Sequence, residues 1–125
     1  MEPPQRQRGG RVRADAVLHD FLQARSDRYR GGISSPLSAP DACSRLSPYL
    51  AQGCLSLREV VQATRTRLDA LPPHAQRRRL GLQSFVSRLY WHCHFIQKLE
   101  SEPELEWCNL HRGYDGLREQ DWNPA

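Results

Sequence analysis

The sequence predicts an all-α fold, and three observations support this prediction. No stretch alternates apolar and polar residues in the way that a half-buried strand requires. Apolar residues recur instead at helical spacing, most clearly over residues 82–99. Ser56 and Glu59 form the signature of a capping box, in which each side chain bonds a backbone amide at a helix start. We therefore expect several helices and no sheet.

The composition limits the class of protein. A chain of 125 residues has room for one small domain, and 38% hydrophobic with 26% charged residues is typical of a globular chain on the polar side of average. The sequence contains no apolar run long enough to span a membrane and no apolar leader at its start. We therefore expect a cytoplasmic protein.

The charge of the chain suggests a phosphate-bearing partner. The formal net charge is +4, and seventeen of the eighteen basic residues are arginine. Arginine favours planar, bidentate contacts with phosphate or carboxylate over the diffuse attraction of lysine. For any single arginine, an ordinary solvated surface position is an equally good interpretation.

The cysteines and histidines give little reason to expect a metal. The four cysteines are scattered without a C-x-x-C pair, so we expect reduced thiols. Four side chains could be imagined around a zinc ion: His92, His94, Cys108 and His111. His92 and His94 fall on different faces of a helix, however, and the usual zinc-finger spacings are absent. We expect no metal site.

The sequence predicts a linker at the start of the chain, followed by a helix and a loop. Residues 1–13 combine Pro, Gly, Gln and Arg and predict a disordered linker. Helical spacing begins at residue 14 and predicts a short amphipathic helix over residues 14–25. Residues 29–40 are dense in Gly, Ser and Pro, which indicates a loop that either wraps a ligand or only connects helices.

Three further helices are expected. Residues 44–52 predict a short helix with Pro48 in its first turn and Gly53 as its stop. The second begins at the capping box and ends before Leu71, because two prolines follow. The third is the long periodic segment, whose apolar stripe we expect to be buried. That stripe consists of Phe85, Leu89, His92, Ile96 and Leu99.

Two groups of residues could carry chemistry. Ser44, Arg45, Leu46 and Ser47 bring two hydroxyls, a guanidinium and the free amides of a helix start into one turn. This is a candidate anion site, although serine-rich helix starts are common as simple caps.

The second group lies on the long helix and consists of Arg88, Trp91, His92 and Phe95. Such a surface could stack on a planar ring and hydrogen-bond its edge. A core tryptophan with a satisfied neighbouring histidine is the more common arrangement. No motif for a protein nucleophile is present, so a cofactor would have to carry any chemistry.

In this order, the segments resemble the photolyase and cryptochrome family from Ala14 onward. A helix of the form A-x-x-x-L-x-x-F that begins at Ala14 is followed by Tyr29. The block S-R-L-S-P-Y-L-A-x-G-x-L-S-x-R-E then covers residues 44–59. The pattern F-x-x-x-L-x-W-x-x-x-F covers residues 85–95. The middle block is highly specific to that family.

The resemblance implies that residues 14–125 are the N-terminal portion of an all-helical domain that holds FAD folded into a U. The positions that match cofactor contacts are Tyr29, Cys43, Ser44, Arg45, Leu46, Ser47, Phe85 and His92. The positions that match the surface facing DNA and the lesion are Arg88, Trp91, His92 and Phe95. Trp91 takes the place of the tryptophan that stacks on a flipped-out pyrimidine dimer.

The implied activity is a light-driven carbon–carbon lyase reaction, in which excited reduced FAD donates an electron to a pyrimidine dimer in DNA. Damaged or single-stranded DNA is the expected partner, and cryptochrome relatives sense light instead. Two positions depart from dimer-repairing members: Arg88 stands where they have Glu, and His92 stands where they usually have Arg. The run from Trp91 to Leu99 resembles a cryptochrome-like bacterial branch.

Family members are longer, with an α/β antenna domain before this region and more flavin-contacting helices after it. We therefore expect a fragment, a truncated reading frame or a remnant that alone holds FAD poorly and has no enzymatic activity. Two alternatives remain open. One is a photosensory or redox flavoprotein without repair activity, and the other is a non-enzymatic helical module that binds nucleic acid.

Overall fold

The computed structural model describes residues 6–117, and every regular element among them is helical. Six α-helices follow one another: α1 (Arg11–Asp20), α2 (Tyr29–Gly32), α3 (Ala39–Ala42), α4 (Ser47–Ala51), α5 (Leu57–Asp69) and α6 (Gln76–Ser101). A π-helical turn, Phe21–Arg25, directly follows α1. Tight 3-10 turns occupy Ser26–Arg28, Pro103–Glu106 and Arg112–Tyr114. The described residues contain no strand, which confirms the all-α prediction.

The first helix begins earlier than the sequence analysis predicts. Gly10 has a φ of 100° and ends the irregular start, so α1 begins at Arg11 and not at residue 14. Residues 6–10 have no regular structure, yet they are tied down by side-chain hydrogen bonds. The amide of Gln7 donates to the Arg45 carbonyl over 2.8 Å. The prediction of a disordered linker over residues 1–13 is therefore wrong for residues 11–13. Residues 1–5 lie outside the described residues.

The helix α4 is shorter than predicted because of one backbone angle. Arg45 has a φ of 59°, a left-handed conformation that cannot continue into a helix of the usual hand. Residues 44–46 are therefore irregular, and the helix begins at Ser47 with a proline in its first turn, as the sequence predicts. Gly53, with a φ of 66°, follows the end of α4 as the predicted stop.

The capping box that starts α5 is fully formed. The Ser56 hydroxyl accepts a hydrogen bond from the Glu59 amide over 3.2 Å, and the Ser56 amide donates to the Glu59 carboxylate over 2.8 Å. Arg11 of α1 lies 2.8 Å from the same carboxylate. The hydrogen bond from the Ser56 amide, followed by those from the Ser56 hydroxyl and Arg11, lowers the pKa of Glu59 to about 2.

Stability should fall in acid partly because of Glu59. Its folded pKa of about 2 lies below the ordinary value of 4.5, so its contribution is complete above pH 4.5 and is lost as the pH falls towards 2. We expect the melting temperature of the native chain to exceed that of Glu59→Gln at pH 6, and the difference to shrink at pH 3. Thermal unfolding followed by circular dichroism at both values measures this. A difference independent of pH would contradict the ionised capping box.

The core of the first part of the chain is centred on three aromatic rings. Phe21, Tyr29 and Phe85 meet edge to face, with centroid distances of 4.7 Å for Phe21–Phe85, 5.5 Å for Phe21–Tyr29 and 5.6 Å for Tyr29–Phe85. Aliphatic side chains surround them. Those that are almost completely buried are Leu46, Leu55, Val60 and Leu82. The core therefore joins residues that are more than sixty positions apart in the sequence.

One glycine sets how closely α6 approaches the chain after the π-helical turn. A Cβ atom placed on Gly81 would lie 1.9 Å from the carbonyl oxygen of Ser26. No real Cβ atom tolerates such a distance from a backbone oxygen. Gly81 therefore lets α6 pack directly against backbone, and Ser26 is completely buried beneath it.

The chain forms two compact units, Met1–Tyr90 and Trp91–Ala125. The helix α6 begins in the first unit and ends in the second. The predicted buried stripe is correct only in the first unit, where Phe85 and Leu89 are buried. In the second unit the prediction is wrong, because the stripe residues there are exposed, and none of the described residues covers them. These residues are His92, Ile96 and Leu99.

No helix within residues 6–117 combines the length and the apolar character that crossing a membrane requires.

Candidate functional site

The predicted anion-binding segment is held in place through its carbonyl groups. The guanidinium of Arg25 donates to the carbonyls of Cys43 and Ser44, and Gln7 donates to the carbonyl of Arg45. The hydroxyls of Ser44 and Ser47 make no hydrogen bond to another described residue. The segment therefore has a fixed backbone and retains two hydroxyl groups that could contact a ligand.

Leu46 differs from its neighbours in this segment. Its side chain is 1% exposed and belongs to the core, while Ser47 is exposed and Ser44 is half-buried. Leu46 can thus contribute to a cofactor site through its backbone, and its side chain anchors the segment. The left-handed backbone at Arg45 redirects the chain into α4, and such conformations often occur at functional sites.

A shallow cavity of about 390 Å³ opens beside this segment. Three guanidinium groups and two carboxylates line it, together with Gln7, Val17 and Pro40. The charged lining residues are Arg6, Arg25, Arg45, Asp20 and Asp41. Arg25 is paired with Asp20. Arg6 and Arg45 have interaction partners as well. The described lining residues carry a formal excess of one positive charge, which favours an anion.

Tyr29 lies in the aromatic core of the first unit. Its side chain is buried, and burial raises the pKa of its phenol, while the nearby charge of Arg88 lowers it and that of Cys43 raises it. The phenol makes no hydrogen bond to another described residue. The first unit thus brings Tyr29 and Cys43, two predicted cofactor contacts, close to Arg88, a predicted lesion contact.

Phe85, a further predicted cofactor contact, is a core residue. It is 3% exposed, and its ring packs against Phe21 and Tyr29. Any contact with a ligand would come from the exposed edge that remains. The main role of the ring is therefore packing in the core.

The second unit contains an aromatic cluster that the sequence analysis identifies only in part. The rings of Trp91, His94 and Phe95 lie within 5.7–6.0 Å of one another, centroid to centroid. His94 takes the place expected for His92, which is exposed and makes no ring contact among the described residues. The spacing of three residues between Trp91 and His94 is the signal that could have revealed it.

The alternative interpretation of Trp91 as a core residue is wrong. Its side chain is 51% exposed, and Phe95 is 63% exposed. Both rings are therefore available to a binding partner. Arg88, which the sequence analysis groups with them, belongs to the first unit.

Several arginines stabilise the fold by donating hydrogen bonds to backbone carbonyls, a role that the composition does not reveal. Four of them donate to main-chain carbonyls far along the chain or at a helix end: Arg25, Arg67, Arg77 and Arg79. Arg79 reaches two carbonyls at the end of α5, those of Leu68 and Leu71. The positive charge of the chain is thus partly structural, which weakens the argument for nucleic acid from charge alone.

Metal-binding groups do not converge in the part of the chain that the structure describes. No three His, Cys, Asp or Glu side chains within residues 6–117 are placed to hold an ion. The four cysteines are free thiols there.

Comparison with known proteins gives one significant relative. A curated deoxyribodipyrimidine photo-lyase from Streptomyces griseus is 29% identical to this chain over 111 residues. The chain is similar to a photolyase. The match covers 89% of this photolyase-like chain and 22% of the relative, so the chain spans about a fifth of the length of that protein. No family model matches the chain, and no solved structure matches it.

Proposed function

We propose that this chain is the FAD-binding segment of a photolyase-like flavoprotein. The observation that carries the proposal is the similarity to a photolyase over 89% of the chain. The geometry of the first unit adds support, because Arg45, which lies between Ser44 and Ser47 in the sequence, lines a cavity together with Arg6 and Arg25. The hydroxyls of Ser44 and Ser47 make no hydrogen bond to another described residue. In this proposal the segment contacts the FAD diphosphate, as in the family that it resembles.

The residues present fit the phosphate half of FAD. A diphosphate needs hydrogen-bond donors and positive charge, which the hydroxyls of Ser44 and Ser47 and the arginines of the cavity would supply. Tyr29 adds a buried phenol that has no partner among the described residues. The roles of Phe85 and His92 beside the flavin stay predictions of the resemblance.

When bound, FAD would supply light absorption and electron transfer. The chain's own residues would bind and orient it: Arg45 would neutralise phosphate charge, and Tyr29 would donate from its phenol. DNA repair by the parent protein belongs to the proposal and rests on the similarity to a photolyase. The lesion-facing role of Arg88, Trp91, His92 and Phe95 is a prediction of the resemblance that stands apart from the FAD proposal, and the acidic charge of residues 91–117 argues against it.

Arg88 favours one alternative, a photosensory or redox flavoprotein without repair activity. The family's repair enzymes have a carboxylate at this position to hydrogen-bond the lesion, and a guanidinium cannot accept such a bond. A lost hydrogen bond to a charged group is worth about 1.5–3 kcal/mol. The other alternative, a nucleic-acid-binding module, is favoured by the excess of arginine. Binding of single-stranded DNA without any binding of FAD would select it.

The phosphate assignment can be tested by placing negative charge in the segment. We expect Ser44→Asp with Ser47→Asp to weaken FAD binding at least tenfold, because two carboxylates would repel the diphosphate. The fold should persist, since an acidic residue at a helix start is favourable. Titration of the purified chain with FAD, followed by flavin fluorescence anisotropy, measures the dissociation constant.

A charge-matched control separates this effect from general repulsion. Gln62→Glu with Gln83→Glu adds the same charge at two exposed positions of α5 and α6. This control should bind FAD nearly as tightly as the native chain. Equal loss of affinity in both double variants, or none in either, would remove the segment from the cofactor site.

A further inference from the structure

Residues 91–117 expose an unusual amount of apolar surface. Eight large apolar side chains in this segment are about half exposed or more: Trp91, Phe95, Ile96, Leu99, Trp107, Leu110, Tyr114 and Leu117. None of the core side chains of the described residues lies beyond Leu89. Exposed apolar surface on this scale marks interaction sites, because its removal from water is favourable. Docking of this segment on another surface would therefore be favourable, because it would remove these side chains from water.

The charge of the same segment is acidic. Residues 91–117 contain Lys98 and Arg112 against four glutamates and Asp115, a formal charge of −3. Residues 6–90 contain fifteen arginines and no lysine against five aspartates and one glutamate, a formal charge of +9. The two parts of the chain thus carry opposite charge.

This combination argues against nucleic acid as the ligand of the aromatic cluster. Aromatic platforms that stack on bases lie in positively charged grooves, since every phosphate must be neutralised. A row of glutamates, Glu100, Glu102, Glu104 and Glu106, follows the cluster instead. An apolar patch with an acidic rim is complementary to a protein surface rich in arginine.

We propose that residues 91–117 of one chain dock on the basic residues 6–90 of a second copy. Trp91 and Phe95 would be the apolar anchors. The basic part offers exposed apolar positions beside arginines, such as Val12, which is 82% exposed and directly precedes Arg13. The contact joins unlike parts of the two copies, because two acidic segments would repel each other; a reciprocal pair and a head-to-tail chain both satisfy this. This proposal does not depend on FAD.

Sedimentation velocity of the purified full chain tests the proposal over a range of concentrations and salt. We expect self-association at low salt that weakens as salt rises, because the screening length falls from ~30 Å at 0.01 M to ~3 Å at 1 M. All three tryptophans of the sequence lie at or after residue 91. Their emission should therefore shift to shorter wavelength as the chain associates.

Matched variants locate the surface. Trp91→Ala with Phe95→Ala should weaken association at least tenfold, and so should Glu104→Lys with Glu106→Lys. Asp69→Lys, an exposed charge reversal at the end of α5, is the control and should not weaken it. Circular dichroism verifies that each variant keeps its helices.

Four results would overturn the proposal. One is a monomer at every concentration, and a second is association that strengthens with salt, which indicates apolar pairing of like surfaces. A third is unchanged association in both double variants. The fourth is a blue shift of tryptophan emission on adding a DNA oligonucleotide, because the aromatic cluster would then bind nucleic acid.

Discussion

Gly81→Ala should destabilise the chain markedly, although alanine is the better helix former. The helix preference for alanine is worth about 0.8–1 kcal/mol. The new methyl group would lie 1.9 Å from the Ser26 carbonyl oxygen, however, and α6 would have to move away from the core. We expect a net loss of about 1–3 kcal/mol, the usual cost of overpacking. Urea unfolding followed by circular dichroism measures the free energy of unfolding.

Gly9→Ala is the matched control for this change. Nothing lies within 4 Å of the position of its Cβ atom, so the substitution should alter stability by less than about 0.5 kcal/mol. If Gly81→Ala proved as stable as Gly9→Ala, the close approach of α6 to Ser26 would be incorrect.

Phe85→Ala should produce the largest loss of stability. The ring is buried against Phe21 and Tyr29, and removal of a buried phenylalanine ring costs about 3–5 kcal/mol. Phe95→Ala, on the same helix, removes a ring that is 63% exposed and should cost less than about 0.5 kcal/mol. Melting temperatures at low protein concentration, where chains are separate, give the comparison.

A milder variant keeps this prediction testable if Phe85→Ala fails to fold. Phe85→Leu retains most of the apolar volume. Its melting temperature should lie between that of the native chain and that of Phe85→Ala. A small effect of both Phe85 variants would mean that this ring lies outside the core and is free for a ligand.

Local signals in the sequence predicted the longer helices, but not the short helices α2 and α3, which occupy part of the segment 29–40 predicted as a loop. The capping box at Ser56 and the stop at Gly53 are formed as expected, because each depends only on neighbouring residues. The boundaries that failed depend on single backbone angles. Gly10 and Arg45 have positive φ values, which moved the starts of α1 and α4 by three residues each.

The exposure of α6 could not be predicted from its periodicity. Phe85, Leu89, Ile96 and Leu99 all follow one helical stripe, yet only the first two are buried. Periodicity identifies a face of a helix but not what covers it. The same limit applies to the arginines, since neither composition nor spacing reveals that Arg25 donates to carbonyls eighteen and more positions away.

The sequence identified which residues could form the candidate site, but it did not show how they are arranged in space. Ser44 and Ser47 were identified from the amides of a helix start and from the resemblance, and their hydroxyls make no hydrogen bond to another described residue. The cavity beside them depends on Arg6 and Arg25, which are distant in sequence and form no motif. Such a group becomes visible only when the chain is folded.

The π-helical turn Phe21–Arg25 acts as an insertion of one residue into the end of α1. An α-helix turns by about 100° per residue, so one extra residue rotates everything that follows by that angle. The rotation helps both Phe21 and its neighbour Leu22 to face the core. Deletion of Gln23, which is exposed in this turn, would restore the α-helical register and swing Tyr29 away from Phe85. The length of this turn thus determines whether the phenol and the aromatic core meet.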